Sequence, residues 1–455
     1  MDPYDAVPYP GGAFPRSHPA HLAAVARLFG VPASDPARCR VLEIGCGEGR
    51  NLLPMAAVLP DATFVGIDPA RTAIDAALAR RAEAGLANVA FHAVGVEAID
   101  ASWGSFDYVV CHGVWSWVAP EVRAEILAVC GRHLAPGGVA YVSYNTLPGW
   151  YLEMPARDLM RRHAAGFLDP LERTGQARAV LELLRDGARS QMPAYAQAAR
   201  ELSAVLEARS DGYLFHEHLA EHHEPVYFTD FAAAAGSAGL RYLAEADVSQ
   251  LFDHDLPPAG REGVALLGQE LIAREQLLDF LRGRLFRATL LVREGTTIHR
   301  QWTPDRLAGL WLRTGLRALA DGRYHLDRRH IGFEGEPPAV LRRLVDAAPA
   351  ALPASEIVSD PRDGVIVLDL LSRGLVEARA VAPPWTTAPS DRPVATALAR
   401  AEARAGDTVV ALDHTTVRLK AAQRAMVASA DGATRQPRRA LSALARACLW
   451  RGPAT

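Results

Sequence analysis

The sequence predicts an α/β chain: a doubly wound, Rossmann-like parallel sheet, then a helical segment and winged-helix-like C-terminal modules. Short apolar strands alternate with helical stretches over residues 39–144. The first strand runs into a glycine turn, Val41-Leu42-Glu43-Ile44-Gly45-Cys46-Gly47-Glu48-Gly49, and Asp68 closes the next strand nineteen residues after the last of these glycines. Strands that are apolar on nearly every residue are buried on both faces, so helices must cover the sheet on both sides. Right-handed crossovers then favour a doubly wound order, with ligands held beyond the carboxyl ends of the strands.

Residues 1–20 form an irregular lead-in rich in Pro, Gly and aromatics, followed by a short helix over Pro19 to Phe29. Cys39 to Ile44 reads as a strand, and Asn51 to Leu59 as a helix with Pro54 tolerable in its first turn. Thr63 to Asp68 is the second strand and Arg71 to Ala84 a helix ended by Gly85. Val89 to Ala93 and Phe106 to Cys111 are further strands. Pro120 to His133 is a helix closed by Pro136-Gly137-Gly138, and Val139 to Tyr144 is the fifth strand. From about 155 to 296 the pattern is mainly helical. Residues 297–385 read as helix (Val340 to Ala347), helix (Val365 to Ser372) and a short strand (Leu375 to Ala378), the order of a winged helix. After a proline-rich linker from Pro383, residues 386–455 form a small helical module. Four units are expected: 1–154, 155–296, 297–385 and 386–455.

Length allows two to four domains. Net charge is −3, which offers no electrostatic footprint for nucleic acid or anionic membrane. The five cysteines are scattered without a C-x-x-C pair, arguing for reduced thiols in a cytoplasmic protein and against structural zinc. The acidic, proline-broken N-terminus is no signal peptide, and no apolar run approaches a membrane span.

Gly45 and Gly47 let the backbone turn tightly and approach a ligand, and the helix that follows aims free N–H groups at the turn. Asp68 is placed to accept hydrogen bonds from two ribose hydroxyls. The spacing is G-x-G-x-G, with an acid, Glu43, two residues before the first glycine. This resembles motif I of class I S-adenosylmethionine-dependent methyltransferases. Two loops add to it: His112-Gly113-Val114-Trp115-Ser116-Trp117-Val118 after the fourth strand, and Ser143-Tyr144-Asn145-Thr146-Leu147-Pro148-Gly149-Trp150-Tyr151 after the fifth. With Tyr4-Asp5, Pro8-Tyr9, Ser17-His18-Pro19, His223-Glu224-Pro225-Val226-Tyr227-Phe228 and Asp279-Phe280-Leu281-Arg282, these stretches resemble bacterial methyltransferases carrying a methyltransferase regulatory domain. That group includes rickettsial lysine methyltransferases of surface proteins.

The resemblance implies S-adenosylmethionine as cofactor, with Glu43, Gly45, Gly47 and Gly49 at its methionine moiety and Asp68 at its ribose. Adenine is expected near Val96 and Glu97, where Gly95 replaces the acid usual at the end of the third strand. His112 heads a loop expected beside the cofactor, and Tyr9 and His18 belong to a segment expected to fold over it. For the transfer itself, Trp115, Trp117, Tyr144, Asn145 and Trp150 are the candidate residues. Aromatic walls suit a lysine, whose ammonium is drawn to ring faces and whose stem packs on them. His216, His218, His222 and His223 with Glu217, Glu221 and Glu224 lack the H-E-x-x-H order, so no metal is expected and a polar domain interface is. The function expected is methyl transfer to protein lysines, with a homodimer left open. A small-molecule N- or O-methyltransferase is the alternative. A DNA-binding regulator is disfavoured, since Ser355 to Arg373 is too acidic for a phosphate-facing helix.

Overall fold

A computed structural model describes residues 11–451 apart from 190–192, 321, 327–328, 334–335, 389–390, 437–440, 443 and 446. The expected strands form as β1 (Arg40–Ile44), β2 (Thr63–Ile67), β3 (Val89–His92), β4 (Phe106–Cys111) and β5 (Leu134–Asn145). They lie in one sheet with β6 (Leu240–Glu245) and β7 (Phe286–Arg293), in the order β3-β2-β1-β4-β5-β7-β6. β1 to β5 pair in parallel, whereas β7 runs antiparallel to both β5 and β6. The chain leaves β1 toward β2 and β3, then returns to β4 on its other side. That reversal opens the crevice at the carboxyl end of β1.

Alternating side chains divide the strands between two buried layers. Val41, Tyr108, Val110, Val139 and Tyr141 face the helices Pro19–Leu28 and Leu52–Val58. Leu42, Ile44, Val109, Val142 and Tyr144 face Pro120–His133 and Phe228–Ser237. Both faces are covered, as the apolar strands require.

The segment 155–296 is mainly helical and also contributes β6 and β7 to the main sheet. Apolar runs of this length, such as Thr289-Leu290-Leu291-Val292, cannot be told from a buried helical segment by periodicity alone. A buried ionic cluster marks their junction. The Arg287 guanidinium, with no exposed side-chain surface, donates to Glu245 (2.6 Å) and to both Asp279 oxygens (2.9 Å each). Four helices, Met154–Ala164, Pro170–Gly187, Pro193–Glu207 and Asp211–His218, gather around Met160, Leu181, Leu206 and Leu214.

Beyond β7, strands Trp311–Arg313, Leu352–Pro353 and Glu377–Arg379 form an antiparallel sheet beside helices Ala339–Ala347 and Pro361–Ser372. Leu312, Leu341, Leu371 and Val376 share one apolar core with the helix Pro19–Leu28. The C-terminal part holds helices Ala397–Ala405 and Ala421–Ala428 and, beyond the helical expectation, a hairpin of Thr408–Val410 with Thr416–Arg418, all packed around Trp450. Among the described residues, no helix is long and apolar enough to cross a membrane.

Candidate functional site

At the carboxyl ends of β1, β2 and β4 lies a cleft of about 340 Å³. Its floor is the glycine turn. Gly45 has φ +74, and a Cβ there would sit 2.3 Å from Val114 Cγ2, so only glycine lets the two loops meet. The Asp68 carboxylate braces the turn from β2: one oxygen accepts the Gly47 N–H and the other the Ala70 N–H, each at 2.9 Å. Pro69, Ala70, Thr72 and Ala73 continue the wall beside it.

Glu43 lines the same cleft yet is 3% exposed. Its Oε1 accepts the Asn51 amide at 2.7 Å, while Oε2 has no partner. Burial first, and the neighbouring Asp68 charge after it, push its pKa up to about 8 against the Asn51 hydrogen bond. A buried carboxylate with an unpartnered oxygen is a receptor for a cation, because an ammonium beside it offsets its desolvation.

Gly11, Gly12 and Phe14 of the lead-in close over the cleft. The Phe14 N–H donates to Asn51 Oδ1 at 2.9 Å, and the Phe14 ring stacks on His112 with centroids 3.5 Å apart. His112 lines the cleft, and burial lowers its pKa to about 3, so its ring is neutral. Its Nδ1 lies 2.8 Å from the Tyr141 hydroxyl. Tyr9 lies outside the described residues. His18 does not reach the cleft: its Nδ1 accepts the Ala20 N–H at 3.1 Å, capping the helix Pro19–Leu28.

The residues expected at adenine are also away from the wall. Val96 is buried in the core below β2 and β4, and Glu97 is exposed. The Glu97 carboxylate folds over Gly95, lying 2.3 Å from where a Cβ would be, so the position cannot carry an acid unless Glu97 moves.

The aromatic loops divide. Trp117 reaches the cleft, and its other contacts build a second cluster. Its ring stacks on His223 at 4.3 Å, Trp150 packs on the same histidine at 4.1 Å, and the Asn145 amide nitrogen lies 3.0 Å from His223 Nε2. Burial, then the nearby Arg157 charge, holds His223 at about 3 and therefore neutral. Trp115 and Tyr144 face the core instead. Trp115 packs edge-on to Tyr144 and Phe231, and the Tyr144 hydroxyl lies 3.1 Å from Thr289 Oγ1, inside the Arg287–Glu245 cluster.

Three residues of this region were not singled out from sequence: Phe14, Asn51 and His414. Asn51 stands eight residues after Glu43, a local signal; His414 is 363 residues from Asn51, which no spacing rule reaches. Among the described residues, no group of three or more His, Cys, Asp or Glu side chains, the His216–His223 stretch included, is placed to hold a metal ion.

The family model described as a methyltransferase domain matches residues 41–138, and that of a predicted methyltransferase regulatory domain matches 210–293. An uncharacterized protein of Rickettsia prowazekii is 38% identical over 304 residues, covering 67% of this chain and 55% of the relative. A second from the same strain is 36% identical over 240 residues, covering 53% of this chain and 96% of the relative. The chain thus spans little more than half of the first relative and nearly all of the second. PKMT2 from Rickettsia typhi superposes with a TM-score of 0.84 at 23% identity, over 98% of this chain and 100% of that one. PKMT2 in complex with AdoHcy gives 0.83 at 26% identity, over 94% and 89%.

Proposed function

The chain belongs to the S-adenosylmethionine-dependent methyltransferases that carry a methyltransferase regulatory domain, and from that membership we propose that it methylates lysine side chains of a protein. The observation that carries the cofactor half is the Glu43 carboxylate, buried at the glycine turn with one oxygen unpartnered. It fits the α-ammonium of S-adenosylmethionine, with the turn around Gly45, Gly47 and Gly49 about the methionine moiety and Asp68 at the ribose. PKMT2 from Rickettsia typhi, similar over most of its length, is known in complex with AdoHcy.

The cofactor supplies an electrophilic methyl group on a sulfonium sulfur. This chain's residues must bind an amine beside it, strip its proton and exclude water. A lysine amine has an ordinary pKa of about 10.4, so a desolvated site must favour its neutral form. The cluster of Trp117, Trp150, His223 and Asn145 supports that role. Two indole faces can hold the stem, the neutral His223 ring adds no repelling charge, and the Asn145 amide offers a hydrogen-bonding group. Trp117 joins the cluster to the cofactor cleft.

Incubation with tritiated S-adenosylmethionine and fractionated bacterial lysate tests the reading. Label mapped to lysine in a protein band is the expected result. Label confined to small molecules would overturn the protein substrate and favour a small-molecule N- or O-methyltransferase.

A further inference from the structure

We propose that His414, carried on the turn of the C-terminal hairpin, positions the Glu43 carboxylate through Asn51, so that the C-terminal module is part of the cofactor-binding apparatus. The inference rests on the cleft being the cofactor site.

Asn51 has one donor end and one acceptor end, and what surrounds it decides which end faces Glu43. Its amide nitrogen donates to Glu43 Oε1 at 2.7 Å and to Ser17 Oγ at 3.1 Å. Its oxygen takes the Phe14 N–H at 2.9 Å and His414 Nε2 at 2.8 Å. A backbone N–H can only donate, so the oxygen must face Phe14, and His414 must then present Nε2–H. Reversing the amide would oppose its NH₂ to the Phe14 N–H and leave Glu43 facing an oxygen. Both donors together hold Asn51 as a donor to the carboxylate, and Glu43 Oε2 is left without a partner beside the cleft.

The hairpin turn is built to deliver this histidine. His414 has φ +73, a left-handed conformation uncommon outside glycine, and is 1% exposed. Asp413 fixes the turn by accepting from Thr415 N–H and Oγ and from Arg313 Nη1 at 2.8 Å. The His18 ring packs edge-on to His414 at 5.3 Å. Burial, then the Arg379 charge, keeps His414 at about 3, so it remains a neutral donor across the working pH range. His414 does not touch the cleft; it is a positioning residue.

Titration of the full chain with AdoHcy, read by calorimetry, tests the inference. His414→Gln offers an amide nitrogen near the position of Nε2, and His414→Met has similar length without a donor. The glutamine variant is expected to bind within about threefold of wild type and the methionine variant about tenfold more weakly. Turnover at saturating cofactor should be unchanged while the cofactor KM rises. In an Asn51→Leu background, the difference between glutamine and methionine should vanish, which a general packing defect would not produce. Should His414→Met fail to fold, His414→Asn suits the left-handed backbone but is too short to reach Asn51, and is expected to bind as weakly. Methionine or asparagine variants binding like wild type, or glutamine weakened as much as methionine, overturn the role of His414 alone. Failure of the wild-type protein to bind AdoHcy overturns the cleft assignment and the inference together.

Discussion

Glu43 carries the most direct consequence of burial. Its folded pKa of about 8 lies above its ordinary 4.5. Between those values the folded ligand-free protein holds a proton that the unfolded chain has released, so stability falls as pH rises through that window. An ammonium bound at Oε2 reverses the preference and expels the proton. Calorimetry of AdoHcy binding between pH 6 and 7, in buffers of differing ionisation enthalpy, should therefore report release of close to one proton per site. Glu43→Gln should abolish that release and weaken binding by about 1.5–3 kcal/mol, the range for a hydrogen bond to a charged group. Proton release unchanged in the variant would remove Glu43 from the ammonium site. Asp68→Ala should weaken binding by about 1–3 kcal/mol, with the loss of the Gly47 brace adding to that of the proposed ribose contact.

At the scale of elements, the glycine turn and the β7 junction make different demands. Gly45→Ala puts a Cβ against Val114 in a left-handed backbone, a strain of about 1–2 kcal/mol before any clash is relieved. Its expected signature is a large loss of AdoHcy affinity with only a modest fall in denaturant midpoint. Arg287→Met leaves Glu245, Glu275 and Asp279 facing one another in the core, and breaking such a buried pair costs about 3–5 kcal/mol. Tyr144→Phe removes only the hydroxyl contact to Thr289. It should lower stability by about 1 kcal/mol while leaving the single-turnover methylation rate unchanged; a slowed rate would return Tyr144 to the acceptor site. These elements also show what the sequence could convey. β1 to β5 were readable because each is a short apolar run ended by turn residues, and Gly45 and Asp68 because their spacing follows from one βαβ unit. β6 and β7 were not, since β7 pairs with β5 across more than a hundred residues and β6 joins the sheet only through β7. Trp115 and Trp117 are two residues apart in one loop, yet one enters the core and the other the cleft; composition cannot separate them.

For the whole molecule, the C-terminal part behaves as structure of the methyltransferase rather than as an appendage. Leu312, Leu341 and Val376 lie in the same apolar core as Leu22 and Val41. The Ala380 N–H donates to the Ala20 carbonyl at 2.8 Å, and the Arg451 guanidinium to the Ala57 carbonyl at 2.6 Å, at the end of the helix that carries Asn51 at its start. Trp450 is fully buried among Leu412, Val427 and Leu449, with its indole N–H on the Leu441 carbonyl at 3.0 Å. Trp450→Ala therefore opens a cavity in this last module and should destabilise it by about 3–5 kcal/mol. Because the hairpin bearing His414 packs on that same cluster, the lesion should reach the cofactor. Binding of AdoHcy should weaken as hydrogen exchange in residues 408–418 quickens, even though Trp450 does not line the cleft. Faster exchange in the hairpin with unaltered AdoHcy affinity would mean that the cleft holds Glu43 and Asn51 in place without support from the C-terminal module.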